Sequence, residues 1–275
     1  DGCTDLVFAC QGGQSWVYWG STEGFSESRR TPLCTCQACD VAVADLDGDG
    51  KDEVVFCQGA DTETFDVDSI AYAVSPGGPR REPVRLPSHD ARRVLTNKQG
   101  SVAFVNHFSG GVLGNAPIAI YWSGTDGFTP ERRQALPAWG AVEALYCDFN
   151  DDGRRDLVIA NASENSITRD PGSYLYLNGP DGFPPAPSLI LPTARAHGVC
   201  CADLNRDGYL DLVFCGFNNP DITIFYGTAD GFDLEHPVRI RLEIDGTVYQ
   251  EARWIYLVDL NNDGCDDFAV SRTRE

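Results

Sequence analysis

One twelve-residue segment recurs four times without a gap and constrains the fold more than any other feature of this sequence. The copies read DLDGDGKDEVVF from Asp45, DFNDDGRRDLVI from Asp148, DLNRDGYLDLVF from Asp203 and DLNNDGCDDFAV from Asp259. A fifth, DGCTDLVF at Asp1, is the same segment without its first four residues. A fixed repeat indicates that one supersecondary unit is stacked on the next along the chain.

The spacing of the copies gives a period of about 50 residues, present about five times. The interval between Asp45 and Asp148 is two periods, which predicts a degenerate copy over Thr96 to Val105. This copy keeps a glycine and an apolar run but has Leu95, Gln99 and Ala103 in ligand places, so we expect it to bind no metal. The predicted repeats are 1–44, 45–94, 95–147, 148–202, 203–258 and a partial repeat 259–275.

Each period reads as four short strands. A second signature, YWGSTEGF, YWSGTDGF, YLNGPDGF or FYGTADGF, recurs in the same rhythm and joins an aromatic-rich strand to a glycine turn. The runs are short, β-branched and bounded by Gly or Pro, which is typical of strands, and we find no convincing helical period. The sequence therefore predicts an all-β fold, a β-propeller of four-stranded antiparallel blades.

The acidic segment, its spacing and the Gly-Phe turn resemble the FG-GAP/VCBS repeat family, as in integrin-α-type propellers. The resemblance covers essentially the whole chain, which we expect to be one propeller domain over 1–275. It implies structural Ca²⁺ in the loop between the first and second strands of a blade. Propellers of this type usually have seven blades, so we expect the chain to be a fragment of a larger ring.

The chemistry of the acidic loop fits calcium independently of the resemblance. Ca²⁺ takes six to eight oxygen ligands, and Asp or Asn at positions 1, 3 and 5 can supply three of them. Glycine at position 6 permits a sharp turn, and an acid at position 9 can close the shell. The ligands predicted for up to four sites are Asp45, Asp47, Asp49 and Glu53; Asp148, Asn150, Asp152 and Asp156; Asp203, Asn205, Asp207 and Asp211; and Asp259, Asn261, Asp263 and Asp267.

Strand direction predicts that metal and ligand are bound at opposite edges of the blades. Successive strands reverse, so the acidic loop and the Gly-Phe turn share one edge, while the second loop and the inter-blade loop share the other. Loops on a rigid scaffold often carry function. Candidate ligand contacts at this second edge are His107, Trp139, Arg195 and His197, whose rings and planar donors suit sugars or peptides; ordinary exposed or rim residues are the alternative.

Charge and motifs narrow the class of function. With 21 Lys+Arg against 41 Asp+Glu, the formal charge is -20, which disfavours nucleic acid and anionic membranes as partners. No apolar run reaches the roughly 20 residues of a membrane helix, so we expect no direct membrane insertion. No catalytic motif stands out, and no catalytic residue is assigned.

These observations favour a secreted or cell-surface calcium-binding module that recognises carbohydrate or protein. The alternatives are a catalytic or accessory domain of a polysaccharide-degrading lyase or glycosidase, and a purely structural spacer. The sequence does not predict an oligomeric state.

Eleven cysteines leave the redox compartment open. Six of them replace small residues on first and second strands, which favours buried free thiols; they are Cys10, Cys57, Cys147, Cys200, Cys201 and Cys215. The cluster of Cys34, Cys36 and Cys39 resembles either a local disulfide loop or an incomplete zinc site.

Overall fold

A computed structural model describes residues 2–97, 100–110, 114–124, 127–162, 170–264 and 266–272. Gln99, one of the residues of the degenerate copy, lies outside these ranges. The regular elements of the described residues are all β-strands, and none of these residues forms a helix with the length and hydropathy of a membrane span. The chain divides into two compact units, Asp1–Leu136 and Pro137–Glu275.

The first unit contains three antiparallel sheets. The first sheet is formed by β1 (Leu6–Phe8), β2 (Gln14–Tyr18) and β3 (Arg30–Cys34). The second sheet is formed by β4 (Ala38–Ala44), β5 (Glu53–Gln58), β6 (Ser69–Ser75), the short β7 (Gly78–Pro79) and β8 (Val84–Leu86), which also pairs with β6. The third sheet contains β9 (Ala91–Thr96), β10 (Ser101–Asn106), β11 (Ile118–Gly124) and β12 (Gly127–Leu136).

The described residues of the second unit form two four-stranded antiparallel sheets, two short ribbons and a final hairpin. The fourth sheet contains β13 (Ala141–Cys147), β14 (Asp156–Asn161), β15 (Ser173–Tyr176) and β16 (Leu189–Leu191). The fifth contains β17 (Ala196–Ala202), β18 (Asp211–Gly216) and β19 (Asn219–Phe225), with the ribbon β20 (Gly227–Thr228) and β21 (Gly231–Phe232) before its last strand β22 (Val238–Arg241). A second ribbon, β23 (Glu243–Ile244) and β24 (Thr247–Val248), precedes the hairpin of β25 (Ala252–Val258) and β26 (Asp267–Arg272). The predicted four-stranded antiparallel sheets are thus confirmed.

The second strand of each full sheet is buried on both faces, which explains its continuous apolar sequence. On β5, Val54 and Phe56 pack toward the first sheet, while Val55 and Cys57 pack toward the third. Successive side chains of a strand point to opposite faces, so a strand between two packed sheets must be apolar at every position. Full burial of a side chain such as Phe56 contributes roughly 1.5–3 kcal/mol. Residues Leu212 to Cys215 of β18 alternate between two cores in the same way.

The degenerate copy has a shorter loop than the gap-free alignment assumes. Leu95 lies inside β9 and Ala103 inside β10, and Ser101, the first residue of β10, occupies the strand position of Glu53. Only residues 97–100 separate the two strands, against residues 45–52 in the second sheet. The loop has therefore lost length as well as acids, and a gap-free comparison of sequences does not detect this.

Tyrosines on third strands connect consecutive sheets within the first unit. The hydroxyl of Tyr72 donates a hydrogen bond to the Cys34 carbonyl of the preceding sheet at 2.6 Å, and Tyr121 donates to Pro87 in the same way at 2.6 Å. In the second unit Tyr176 donates to Pro137 at 2.8 Å, whereas Phe225 occupies the equivalent position of the fifth sheet and has no hydroxyl. Within the first unit, the polar tip of a buried tyrosine thus finds an acceptor where two sheets meet.

All described cysteines carry free thiols. Cys57 and Cys215 are buried, in agreement with the interpretation of small core residues, while Cys10, Cys147, Cys200 and Cys201 are half-buried. Cys34 and Cys36 are exposed and Cys39 is half-buried, and none of the three forms the local disulfide considered above.

Candidate metal centre

The acidic loops are shaped by two residues with left-handed backbone. At position 6 the glycines have φ between 81° and 92°, as at Gly50 and Gly208, so the predicted turn is present. Position 4 is left-handed too, with φ of 77° at Gly48 and 62° at Arg206. A residue with a Cβ pays roughly 1–2 kcal/mol in this region, so the loop needs compensating hydrogen bonds.

The acid at position 1 supplies those bonds by accepting from the backbone that wraps around it. In the third motif, Asp203 accepts from the backbone N–H of Asp207 at 3.0 Å and of Gly208 at 2.9 Å. Asp148 and Asp259 accept in the same pattern, at 2.8–3.1 Å, from positions 5 and 6 of their own loops. In the first motif, Asp45 accepts from Gly48 and Gly50 at 2.8 and 3.0 Å.

Positions 3 and 5 bring further oxygens to the same place. In the first motif, carboxylate oxygens of Asp45, Asp47 and Asp49 all lie within 4.8 Å of one another. In the other three motifs position 3 is asparagine, whose amide donates to the position 5 carboxylate, as from Asn205 to Asp207 at 2.9 Å. Converging oxygen donors are what Ca²⁺ prefers, so the residues present fit this ion.

Position 9 is a buried carboxylate that fastens the loop to the sheet. Asp211 is fully buried, and its two oxygens accept from the backbone N–H of Leu204 and of Gly227, both at 2.8 Å. Asp156 repeats this with Phe149 at 2.9 Å and Asn178 at 2.8 Å. This acid lies at the base of the loop and can join a metal only through lone pairs that these bonds leave.

The carboxylates of positions 9 and 5 differ in the direction in which their pKa is shifted. Burial raises the pKa of Glu53, Asp156 and Asp211, because a charge loses hydration there. Asp49 and Asp152, two of the exposed carboxylates at position 5, have a lowered pKa, because Arg80 donates a hydrogen bond to Asp49 and the backbone N–H of Arg154 donates one to Asp152. Position 5 thus lies on the solvent-facing side of the loop and position 1 is half-buried, while the position 9 acids Glu53, Asp156 and Asp211 lie at the buried base.

The partners of position 9 confirm that the acidic loop and the glycine turn share an edge within a sheet. Asn178 and Gly227 both follow the third strand of their sheets. In the second unit the guanidinium of Arg206 also donates to the carbonyl of Gly264 at 2.7 Å, which joins the third and fourth acidic loops.

The opposite edge is held by amide side chains at the ends of second strands. Asn161 accepts from the backbone N–H of Trp139 at 2.9 Å and donates to the carbonyl of Gly172 at 2.8 Å. Asn106 does the same with His89 and Pro117, at 3.0 and 2.7 Å. These bonds connect the inter-blade loop to the start of the third strand. The second strands β5, β10 and β14 all end in an amide residue, Gln58, Asn106 or Asn161, and this recurrence in the sequence is the signal that could have identified the bonds.

The four predicted ligand contacts fall into two groups. His107 and His197 are 2 % and 3 % exposed and pack against Phe108 and Phe217, so burial gives them a packing role instead of a surface contact. Trp139 is 40 % exposed and Arg195 is half-buried, so both reach the surface of this edge.

Sequence reasoning missed two residues beside Arg195. The guanidinium carbons of Arg195 and Arg253 lie 5.2 and 4.6 Å from the ring centre of Phe217. Guanidinium groups stacked on an aromatic ring present planar donors that suit carboxylate, amide or hydroxyl oxygens. The three residues are far apart in sequence, and no local pattern relates them.

Comparison with a solved propeller structure supports the fold. A search of curated proteins finds no match. Among solved structures, the Dos1 propeller is similar at a TM-score of 0.51 and 8 % identity, over 90 % of this chain and 65 % of that one. The V. cholerae biofilm matrix protein Bap1 aligns at a TM-score of 0.44 and 15 % identity, over 92 % of this chain and 37 % of that one. This chain therefore spans less than two thirds of either structure.

The model of the FG-GAP-like repeat matches residues 1–56, 148–214 and 203–270, together more than half of the chain. Its matched segments include the acidic motifs that begin at Asp45, Asp148, Asp203 and Asp259. With the propeller similarity, this confirms the predicted fold. The chain belongs to the FG-GAP-like repeat family and has the sheets of a β-propeller.

Proposed function

We propose that this protein is a calcium-stabilised recognition module, secreted or on the cell surface, that binds a carbohydrate or protein ligand. The observation that carries the proposal is the separation of two chemistries in the sheets that keep the acidic motif. Acidic loops and the turns that fasten them lie at one edge, while amide-braced loops with an exposed tryptophan and stacked arginines lie at the other. A metal at the first edge can then hold the sheets without occupying the ligand surface.

Calcium would be held by the oxygens of positions 1, 3 and 5, with position 9 at the base of the loop. When bound, Ca²⁺ supplies charge neutralisation to carboxylates that otherwise repel one another. The chain's own residues keep the loop in shape: position 1 collects backbone N–H groups and position 9 anchors the loop to the third turn.

The ligand surface that we propose contains Trp139, Arg195, Phe217 and Arg253. The backbone N–H of Trp139 donates to Asn161 at 2.9 Å, which fixes the position of this residue while part of its indole stays exposed. Fixed aromatic faces lose little entropy on contact with a sugar ring or a peptide.

Binding of the labelled whole chain to a glycan array and to an extracellular protein array tests the proposal. We expect Trp139→Ala and Arg195→Ala to weaken binding at least about tenfold, a loss of about 1.4 kcal/mol. Tyr209→Ala is the matched control, because Tyr209 is similarly exposed at 42 % but lies in an acidic loop. Equal loss in the control, or product release from a polysaccharide without stable binding, would contradict the proposed recognition role.

A further inference from the structure

The first acidic loop differs from the others because two arginines reach into it. Arg80 Nη1 lies 2.8 Å from Asp49 Oδ2, and Arg80 Nη2 lies 3.2 Å from Glu53 Oε1. Arg81 Nη2 lies 2.8 Å from Asp47 Oδ2 and 3.5 Å from the same Glu53 oxygen. Three of the four predicted ligands of this motif are therefore already paired with positive charge from the same sheet.

In other motifs, a backbone N–H group takes the place of the arginines and donates to the position 9 carboxylate. The outer oxygen of Asp156 accepts from Asn178 N–H, and that of Asp211 accepts from Gly227 N–H. Asp5, at position 9 of the shortened first copy, accepts from Gly20 N–H at 2.8 Å. The turns that supply these groups read NGPDGF, GTADGF and GSTEGF, without arginine, whereas the turn of the second sheet reads PGGPRREP.

The glutamate at position 9 belongs to this difference. Glu53 is 2 % exposed and keeps one oxygen on the backbone N–H of Leu46 at 3.1 Å, as the aspartates do. Its additional methylene carries the second oxygen out to Arg80 and Arg81. The longer acid and the two arginines are thus geometrically matched.

We propose that Arg80 and Arg81 serve as an internal cation for the first acidic loop. This loop then keeps its shape without calcium and binds Ca²⁺ more weakly than the loops beginning at Asp148, Asp203 and Asp259. Two guanidinium groups carry the same charge as one Ca²⁺, and an incoming ion must displace them from the carboxylates. The difference in affinity depends on the proposed calcium function, whereas the calcium-independent shape of the loop does not.

Calcium titration of the whole chain, followed by calorimetry and native mass spectrometry, tests the first part. We expect three tight ions in the wild type, and a fourth site tightened at least about tenfold in Arg80→Ala/Arg81→Ala. Arg85→Ala/Arg239→Ala removes two exposed arginines elsewhere in the chain and controls for net charge. Four equal sites in the wild type, or no gain in the double variant, would overturn the proposal.

Hydrogen exchange in EDTA tests the second part separately. We expect peptides covering 45–53 to stay protected in the wild type and to lose protection in the double variant, while peptides covering 203–211 exchange alike in both. Unchanged protection of 45–53 in the variant would overturn the internal cation even if no loop binds calcium. Glu53→Asp, which withdraws the carboxylate from the arginines, provides a milder second variant that we expect to change both readouts in the same direction.

Discussion

The buried carboxylate of Asp211 accepts a hydrogen bond at 2.8 Å from the backbone N–H of Gly227, which follows the neighbouring strand of the fifth sheet. The same acid also holds the backbone of Leu204 in the acidic loop. One side chain therefore joins the first loop and the third turn of its sheet, and Asp156 does the same in the fourth sheet. Position 9 is a structural acid whether or not a metal is bound.

Replacing Asp211 with alanine should destabilise the protein even in EDTA. The buried backbone N–H of Gly227 and the partly buried N–H of Leu204 lose their acceptor, and we expect the free energy of unfolding to fall by about 3 kcal/mol. Urea denaturation measures the loss. Asp230→Ala, in the exposed turn of the same sheet, should change the free energy by less than about 0.5 kcal/mol. Equal losses in the two variants would argue against the anchoring role.

Removing calcium should lower the melting temperature of the wild-type protein by several degrees, because a ligand that binds only the folded state stabilises it. Asp207→Ala should reduce this response by removing one site, while Asp181→Ala, in an exposed turn, should leave it unchanged. Differential scanning calorimetry with and without EDTA makes the comparison. A melt that does not respond to EDTA, with no ion bound, would remove the calcium proposal.

The tyrosine hydroxyls between sheets should each contribute about 1 kcal/mol, the usual net value of a buried hydrogen bond. Tyr72→Phe leaves the Cys34 carbonyl without this donor, and Tyr121→Phe does the same at Pro87. Phe225 shows that the fold accommodates phenylalanine at this strand position. Tyr256→Phe, at a residue 57 % exposed, is the control, and a comparable loss there would show that the hydroxyl contacts are not responsible.

Buried and exposed cysteines should differ sharply in reactivity. Burial raises the pKa of Cys215 to about 12 and raises that of Cys57 as well, so both stay protonated near pH 8. Iodoacetamide followed by mass spectrometry should label the exposed Cys34 and Cys36 first. Rapid labelling of Cys57 or Cys215 in the folded protein would contradict their placement in the core.

The raised pKa of Cys215 also predicts a pH dependence of stability. The folded state favours the thiol, so its contribution is complete below the unfolded pKa near 8.5 and is lost as pH rises toward about 12. The free energy of unfolding should therefore decline over this interval, and Cys215→Ala should decline less. A parallel decline in the variant would assign the effect to other groups.

Much of the fold is encoded locally and could be predicted. The acidic motif, the glycine turn and the short apolar runs each specify their own backbone within a few residues, so the strands and their order follow from the repeat. The glycine at position 6 and the antiparallel pairing across the acidic loop belong to this group. The length of the degenerate loop could not be predicted in this way, because strand register is set by core packing and not by motif spacing.

The sequence by itself determined a repeated all-β chain whose acids recur at one edge of the sheets that keep the motif. Only the tertiary structure decided which of those acids are buried anchors and that His107 and His197 are packed inside. It also decided that Arg80 and Arg81 reach into the first acidic loop. The physical reason is distance along the chain: Arg80 is 31 residues from Asp49, and Arg195 and Arg253 both reach the Phe217 ring only after the strands have paired. Local patterns specify backbone, whereas burial and charge pairing depend on what the fold brings alongside.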